Sequence, residues 1–344
     1  MVKFLKEVLV QYFSVHLRHI HCTEIKNSAP HTNFYIQVAG QSYYLQLLDD
    51  NQMYDVDLQT SCYINSFFKN SNLDLNSKPF KIVKNKLGHP VTEFKNQYWR
   101  LFEIPESISS LNKIVDIQDA KKIGQLLGKL HAYTCEVDTE PYQKTLPQPF
   151  YVEHIIGDFE FALQITEDPN IEEAHDVIVY LQDRIPFMRS TSQTAQLLFP
   201  KKLIHGKAIL QNVVVNPQDQ VLTYINWDKI CVGHYLYDYS LMLKSIAAIQ
   251  DQDCILTEIP LFSRDLALAA HKGYMYYMEN VLTPQELEHL EDYYKMIILL
   301  DSMYYLTQFL LGNKKLKAVY YTQNLNRAIN QMMLHQSLTQ EIYS

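Results

Sequence analysis

Apolar positions along this chain change their spacing once, from every second residue to every third or fourth. FYIQVAG and QSYYLQLLD alternate apolar and polar side chains, which predicts two short strands joined at Gly40-Gln41. HPVTEF and QYWRLFEIP predict two more, and Pro105 ends the second because proline cannot donate to a ladder. Phe4, Val8, Tyr12 and Val15 stand at helical spacing and predict an amphipathic opening helix over residues 3–19. A second helix is expected over residues 56–68, on Leu58, Ser61, Tyr63, Ile64, Phe67 and Phe68.

Beyond Glu106 the texture is helical. Residues 116–133 place Ile117, Ala120, Ile123, Leu127 and Leu130 on one stripe, and residues 151–163 and 173–184 are further helical stretches. Thr283-Pro284-Gln285-Glu286 supplies an N-cap hydroxyl, a proline at the first helical position and a capping-box glutamate. The apolar run behind it predicts one helix of about 28 residues, roughly 42 Å at 1.5 Å per residue, stopping at Gly312. A last helix is expected over residues 324–337. The pattern therefore predicts an α+β fold, with a small β-rich lobe over residues 1–105 and a large helical lobe over residues 106–344.

Composition narrows the function more than the fold. The chain has 344 residues, 47% of them apolar, enough to fill two lobes. A net charge of −8 without a basic tract argues against nucleic-acid and acidic-membrane partners, which need clustered Lys and Arg to neutralise phosphates. The five cysteines are scattered, with neither a C-x-x-C pair nor metal-ligand spacing, and the N-terminal stretch carries charges inside its apolar run. Reduced thiols in a cytoplasmic protein are the expectation. Only 9 residues are glycine, against 25 tyrosines, which leaves few glycines for a phosphate-cradling loop.

The candidate chemistry lies in Leu203–Leu243, LIHGKAILQNVVVNPQDQVLTYINWDKICVGHYLYDYSLML. A His-Gly pair, an Asn seven residues on, two apolar runs about a Pro-Gln-Asp-Gln turn, Trp-Asp, and Gly-x-x-x-Tyr-Asp make a loop-hairpin-loop. This stretch resembles the catalytic and metal loops of the aminoglycoside phosphotransferase and choline kinase group, and so implies a bilobal protein-kinase-like fold. YYLQLLDD, QYWRLFEI, KKIGQLLGKLHAY, CVGHYLYDYSLMLK and the segment from YYLTQFLLGN to NLNRAINQ are similar to the N-acetylhexosamine 1-kinase branch. That resemblance runs over nearly the whole chain and rests on the order of the motifs rather than on any one of them.

In active members the first loop carries an Asp that accepts the substrate hydroxyl proton and an Asn that holds magnesium, and the second carries an Asp as the other metal ligand. The resemblance puts Lys207 and Asn226 at the two Asp positions, while His205, Asn212, Asp228, Gly233, Tyr237 and Asp238 match. It also implies a phosphate-side Gln46, usual for the branch. Adenine would meet main chain near Glu103, with Leu101 as an apolar neighbour. The glycine-rich turn is replaced by Ser28-Ala29-Pro30-His31, and the Glu of the following helix by Gln59. The two polar sugar contacts of the branch correspond to Phe34 and Tyr304, with His31 as the loop histidine.

A Lys cannot act as general base unless its pKa falls by several units, and nearby phosphate would raise it. Its expected roles are anion binding or pairing with Asp228, against that of a solvated surface cation. Asn226 removes a charge from a site that normally holds magnesium by carboxylate plus phosphate. Asn212, Asn226 and Asp228 would therefore bind metal weakly or not at all, and His205 is expected to shape its loop. The resulting expectation is a degenerate pseudokinase that binds ATP, another nucleotide or a small anionic ligand, in a ligand-binding or regulatory role. Two other readings stay open: an active ATP-dependent sugar kinase with displaced residues, and a partner-binding scaffold with an empty cleft.

Overall fold

Alternation along the N-terminal strands is realised as an antiparallel sheet with one dry face. The computed structural model of the chain describes residues 2–14, 20–25, 32–48, 81–104, 109–111, 113–114, 116–142, 152–166, 168–215, 221–254, 262–314, 316 and 318–341. It divides into two units, the first made of residues 1–114, 129–148 and 203–232, the second of residues 115–128, 149–202 and 233–344.

In the first unit, helix α1 (Val2–Leu9) precedes strands β1 (Ile20–Ile25), β2 (Thr32–Val38), β3 (Gln41–Leu48), β4 (Lys81–Val83), β5 (Val91–Phe94) and β6 (Gln97–Ile104). Their order is β1-β2-β3-β6-β4, with β5 also on β6, and every pairing is antiparallel. The β2–β3 hairpin turns at Ala39-Gly40, one residue earlier than expected, with φ of 51° and 80°. Lys95-Asn96 turns β5 into β6 with φ of 51° and 60°. Left-handed two-residue turns match the twist of the strands they join.

Register decides which side chains share a face. Phe34, Ile36 and Val38 of β2, Leu45 of β3, and Trp99 and Leu101 of β6 form one buried cluster with Leu5, Val8 and Leu9 of α1. α1 ends at Leu9, earlier than the expected helix; Tyr12 lies in the following turn, its hydroxyl donates to the Trp99 carbonyl at 3.0 Å, and residues 15–19 lie outside the described residues. The opposite face presents Tyr35, Tyr44, Phe102 and Ile104, which pack on Val214 and Ile225, and, in one row across the strands, Asn33, Gln46 and Arg100.

Short strands complete this unit. β7 (Ser109–Ser110), β9 (Val213–Val215) and β10 (Val221–Tyr224) form a three-stranded sheet, and β8 (Lys202–Ile204) pairs with β11 (Cys231–Gly233). The expected helix over residues 56–68, with Gln59, the turn at residues 28–31 and the Pro-Gln-Asp-Gln turn all lie outside the described residues.

The second unit is helical: α2 (Ile117–Thr134, whose end counts with the first unit), α3 (Val152–Ile165), α4 (Asp168–Glu173), α5 (His175–Gln182), α6 (Ile185–Leu198), α7 (Tyr235–Ala247), α8 (Arg264–Met278), α9 (Pro284–Glu288), α10 (Leu290–Leu310) and α11 (Gln323–Glu341). α10 is buried nearly all round, packed by α11, α7, α3 and α6, as expected of a central helix. α2 and α8 cross backbone to backbone. A Cβ on Gly124 would stand 2.0 Å from the Ala270 carbonyl, and one on Gly273 2.1 Å from that of Lys121. The few glycines of this chain serve packing here.

The capping box at Thr283 and Glu286 forms as expected, but the long helix behind it is two helices. At His289, with φ −107° and ψ 13°, the ring Nδ1 also donates to the Gln285 carbonyl at 2.8 Å, and the axis breaks. Among the described residues no helix is long and apolar enough to cross a membrane, and Cys22 and Cys254 are free thiols.

Candidate functional site

The loop after β8 is shaped by its histidine. His205 is fully buried between Tyr224 and Trp227, with ring centroids 5.1 and 4.7 Å away. Its Nδ1 accepts from the Lys207 backbone N–H at 3.2 Å, so the proton sits on Nε2, which donates to the Ile225 carbonyl at 3.0 Å. One ring thus ties the loop to the end of β10. Gly206, at φ 75°, must be glycine: a Cβ there would lie 2.0 Å from the Lys229 carbonyl. His205 is a loop-shaping residue, as expected.

Asn212, buried at the end of the short 3-10 turn before β9, and Asn226, after β10, meet each other. Asn226 Nδ2 donates to Asn212 Oδ1 at 2.8 Å, and Asn212 Nδ2 donates to the Lys207 carbonyl at 2.9 Å. Three residues from the two aligned loops therefore converge. Asn226 adopts a left-handed conformation, φ 61° and ψ 51°, which asparagine tolerates better than most residues.

The sheet enters from the other side. Gln46 Nε2 donates to Asn226 Oδ1 at 2.9 Å, and Gln46 Oε1 accepts from Arg100 Nη2 at 2.6 Å and Nε at 3.2 Å. Arg100, 2% exposed, was not among the expected site residues. Its signal was available: a lone cation in the apolar strand QYWRLFEI, in phase with Phe102 on the polar face. Only pairing places it opposite Gln46.

Leu101 and Glu103 are in phase with Trp99, on the face covered by α1, and so point away from Gln46. Leu101 is fully buried in that core. Glu103 instead pairs with Lys81 at 3.2 Å across a half-exposed edge. Main chain from Leu101 to Glu103 is paired with β3 on one side and β4 on the other. Of the two residues expected near adenine, Leu101 is thus a core side chain and Glu103 an exposed one in an ion pair, and both have their backbone in the ladder.

Phe34 is likewise a core residue, 3% exposed, with its ring 6.2 Å from Trp99. His31 lies outside the described residues. Asp228 stands in the short 3-10 turn Trp227–Lys229. In the second unit, Tyr304 lies on α10, 38% exposed, its ring 5.8 Å from Tyr305. Burial, then the charge of Asp301, raises the pKa of Tyr304. Asp238 is fully buried in the first turn of α7.

Of the amide oxygens that the resemblance assigns to magnesium, that of Asn212 accepts an N–H from Asn226, and that of Asn226 accepts one from Gln46. Magnesium is normally held by several oxygens in near-octahedral order, with a carboxylate among them. Among the described residues no three His, Cys, Asp or Glu side chains gather as a metal site.

This architecture is the fold of aminoglycoside phosphotransferases and choline and ethanolamine kinases. The microcompartment-associated aminopropanol kinase superposes with a TM-score of 0.69 at 14% identity, over 99% of this chain and 98% of that one. A Plasmodium vivax ethanolamine kinase matches with a TM-score of 0.65 at 16% identity, over 96% and 88%. Spectinomycin phosphotransferase, solved with ADP and spectinomycin, matches with a TM-score of 0.62 at 13% identity, over 97% and 98%. No protein-family model and no curated protein matches the sequence.

Proposed function

We propose that this chain is a cytoplasmic pseudokinase of the aminoglycoside phosphotransferase and choline kinase group, nearest the N-acetylhexosamine 1-kinase branch, that binds a nucleotide or small anion without transferring phosphate. The observation that carries the reading is the amide contact between Asn226 and Asn212, 2.8 Å where two metal ligands are expected. Phosphoryl transfer in this fold depends on positioning and on neutralisation of phosphate charge by metal, and both expected Asp side chains are absent. Lys207, as an ammonium, cannot take the hydroxyl proton but attracts an anion. A solved structure of the same fold carries ADP, which supports a nucleotide as the ligand.

Purified protein should release no ADP above background with ATP and N-acetylglucosamine or N-acetylgalactosamine. ATP should raise its melting temperature equally in EDTA and in magnesium. Stoichiometric sugar 1-phosphate would establish the sugar kinase reading instead, and an ATP-indifferent melting curve in both buffers would establish the empty scaffold.

A further inference from the structure

The polar contacts of the site form one chain with a direction. Arg100 only donates, so the Gln46 atom facing it is the carbonyl oxygen, and the Gln46 NH2 faces Asn226. Asn226 must then offer its oxygen to Gln46 and its NH2 to Asn212. Asn212 offers its oxygen to Asn226 and its NH2 to the Lys207 carbonyl, which only accepts. A pure donor at one end and a pure acceptor at the other fix the orientation of all three amides. Flipping any one places donor on donor and acceptor on acceptor.

This polarity gives Asn226 a requirement that its reading as a lost carboxylate misses. Position 226 must accept from Gln46 and donate to Asn212 at once. Asp, with no N–H, would set a carboxylate oxygen against Asn212 Oδ1. Turning the Asn212 amide to answer it would set Oδ1 against the Lys207 carbonyl. Among side chains of this size only Asn satisfies both neighbours.

We propose that the Gln46–Asn226–Asn212 amides are a built-in substitute for the divalent cation, tying the two loops to the sheet through N–H donors and making the site refuse metal. A cation holds two oxygens together by its charge; here the Asn226 N–H stands between oxygen and oxygen. The chain ends on the buried Arg100 guanidinium, a like charge for any entering dication. Asn226 is on this account a selected part of the site, and the Asp-to-Asn difference from active relatives is a change of device.

The inference rests on the proposed function only for the position of the metal, and its test uses protein alone, without nucleotide or sugar. A positive ADP assay would sink that function while leaving this measurement untouched. Wild type and Asn226→Asp are melted in EDTA and in millimolar magnesium, and manganese binding to each is followed by the loss of the free-ion spin-resonance signal. Asp tolerates the left-handed backbone nearly as well as Asn, so the substitution isolates the missing N–H. Wild type should melt alike in both buffers and bind no manganese. The variant should melt about 2–6 °C lower in EDTA, recover in magnesium and bind manganese. Wild type that binds manganese or is stabilised by magnesium overturns the proposal. So does a variant as stable as wild type in EDTA, or one whose deficit magnesium leaves unchanged. If the variant does not fold, manganese titration of wild type alone still decides whether the site refuses metal.

Discussion

Arg100 and Gln46 offer the most direct measurement of what the amide chain contributes. Arg100 is 2% exposed and sends two N–H groups to one oxygen, at 2.6 and 3.2 Å, so its bond is charge-assisted and dry. Its contact with the Phe102 ring, 5.7 Å from the centroid, adds up to about 2 kcal/mol at a desolvated site. Hydrogen bonds to charged groups contribute about 1.5–3 kcal/mol, a comparable amount, so a double-variant cycle is needed to isolate the bond to Gln46.

Arg100→Met keeps the apolar stem and leaves Gln46 Oε1 with no donor, for an expected loss of about 3 kcal/mol. Gln46→Met should cost more, about 3–5 kcal/mol, because it removes an acceptor from a buried guanidinium and a donor from Asn226. The double variant loses both partners together, and its cost should fall short of the sum by about 1.5–3 kcal/mol. Urea unfolding of the four proteins, with matching m-values, measures this. Additivity within about 0.5 kcal/mol would refute the reasoning, since residues that share no bond behave that way.

Two further outcomes follow from geometry elsewhere. His335 Nδ1 meets the Tyr180 hydroxyl at 2.7 Å, and burial first, then Arg184 and Lys295, pushes its pKa from 6.5 down to about 4. Between those values the unfolded ring holds a proton that the folded ring lacks, so stability should be full above pH 6.5. As pH falls toward 4 it should drop by up to about 3 kcal/mol, and His335→Gln should flatten that slope in urea titrations at pH 7 and 4.5. Gly206→Ala adds both a strained φ of 75° and a Cβ 2.0 Å from a carbonyl. It should cost more than about 2 kcal/mol and raise hydrogen exchange across residues 205–212, whereas unchanged exchange there would contradict the fixed loop shape.

Local rules were legible where one short stretch contains all their terms. The strands β2, β3, β5 and β6, the capping box at Thr283, the helix on Ile123 and Leu127, and the loop role of His205 all follow from spacing within a dozen residues or from one short motif. α6 was missed because IPFMRSTSQTAQLL interrupts its apolar stripe with hydroxyl and amide side chains, and β4 because three residues carry no period. The break at His289 escaped because a ring competing for a backbone carbonyl leaves no trace in apolar spacing.

The site divides along the same line. From the sequence by itself, motif order led to the expectation that Lys207, Asn212 and Asn226 stand at the loop positions of a phosphotransferase, because motif order is read without coordinates. Strand parity also determined that Arg100 and Leu101 belong to opposite faces of their strand, but only the β3–β6 register set Gln46 with Arg100, and only α1, packed on Leu45, Trp99 and Leu101, decided which face is the core. Tertiary structure alone brought Gln46 to Asn226 across 180 residues and set Arg100 behind it. That contact turns an apparent loss of charge at position 226 into a donor with a partner. Hydrogen-bond direction is a property of neighbours in space, and a single residue's identity does not contain it.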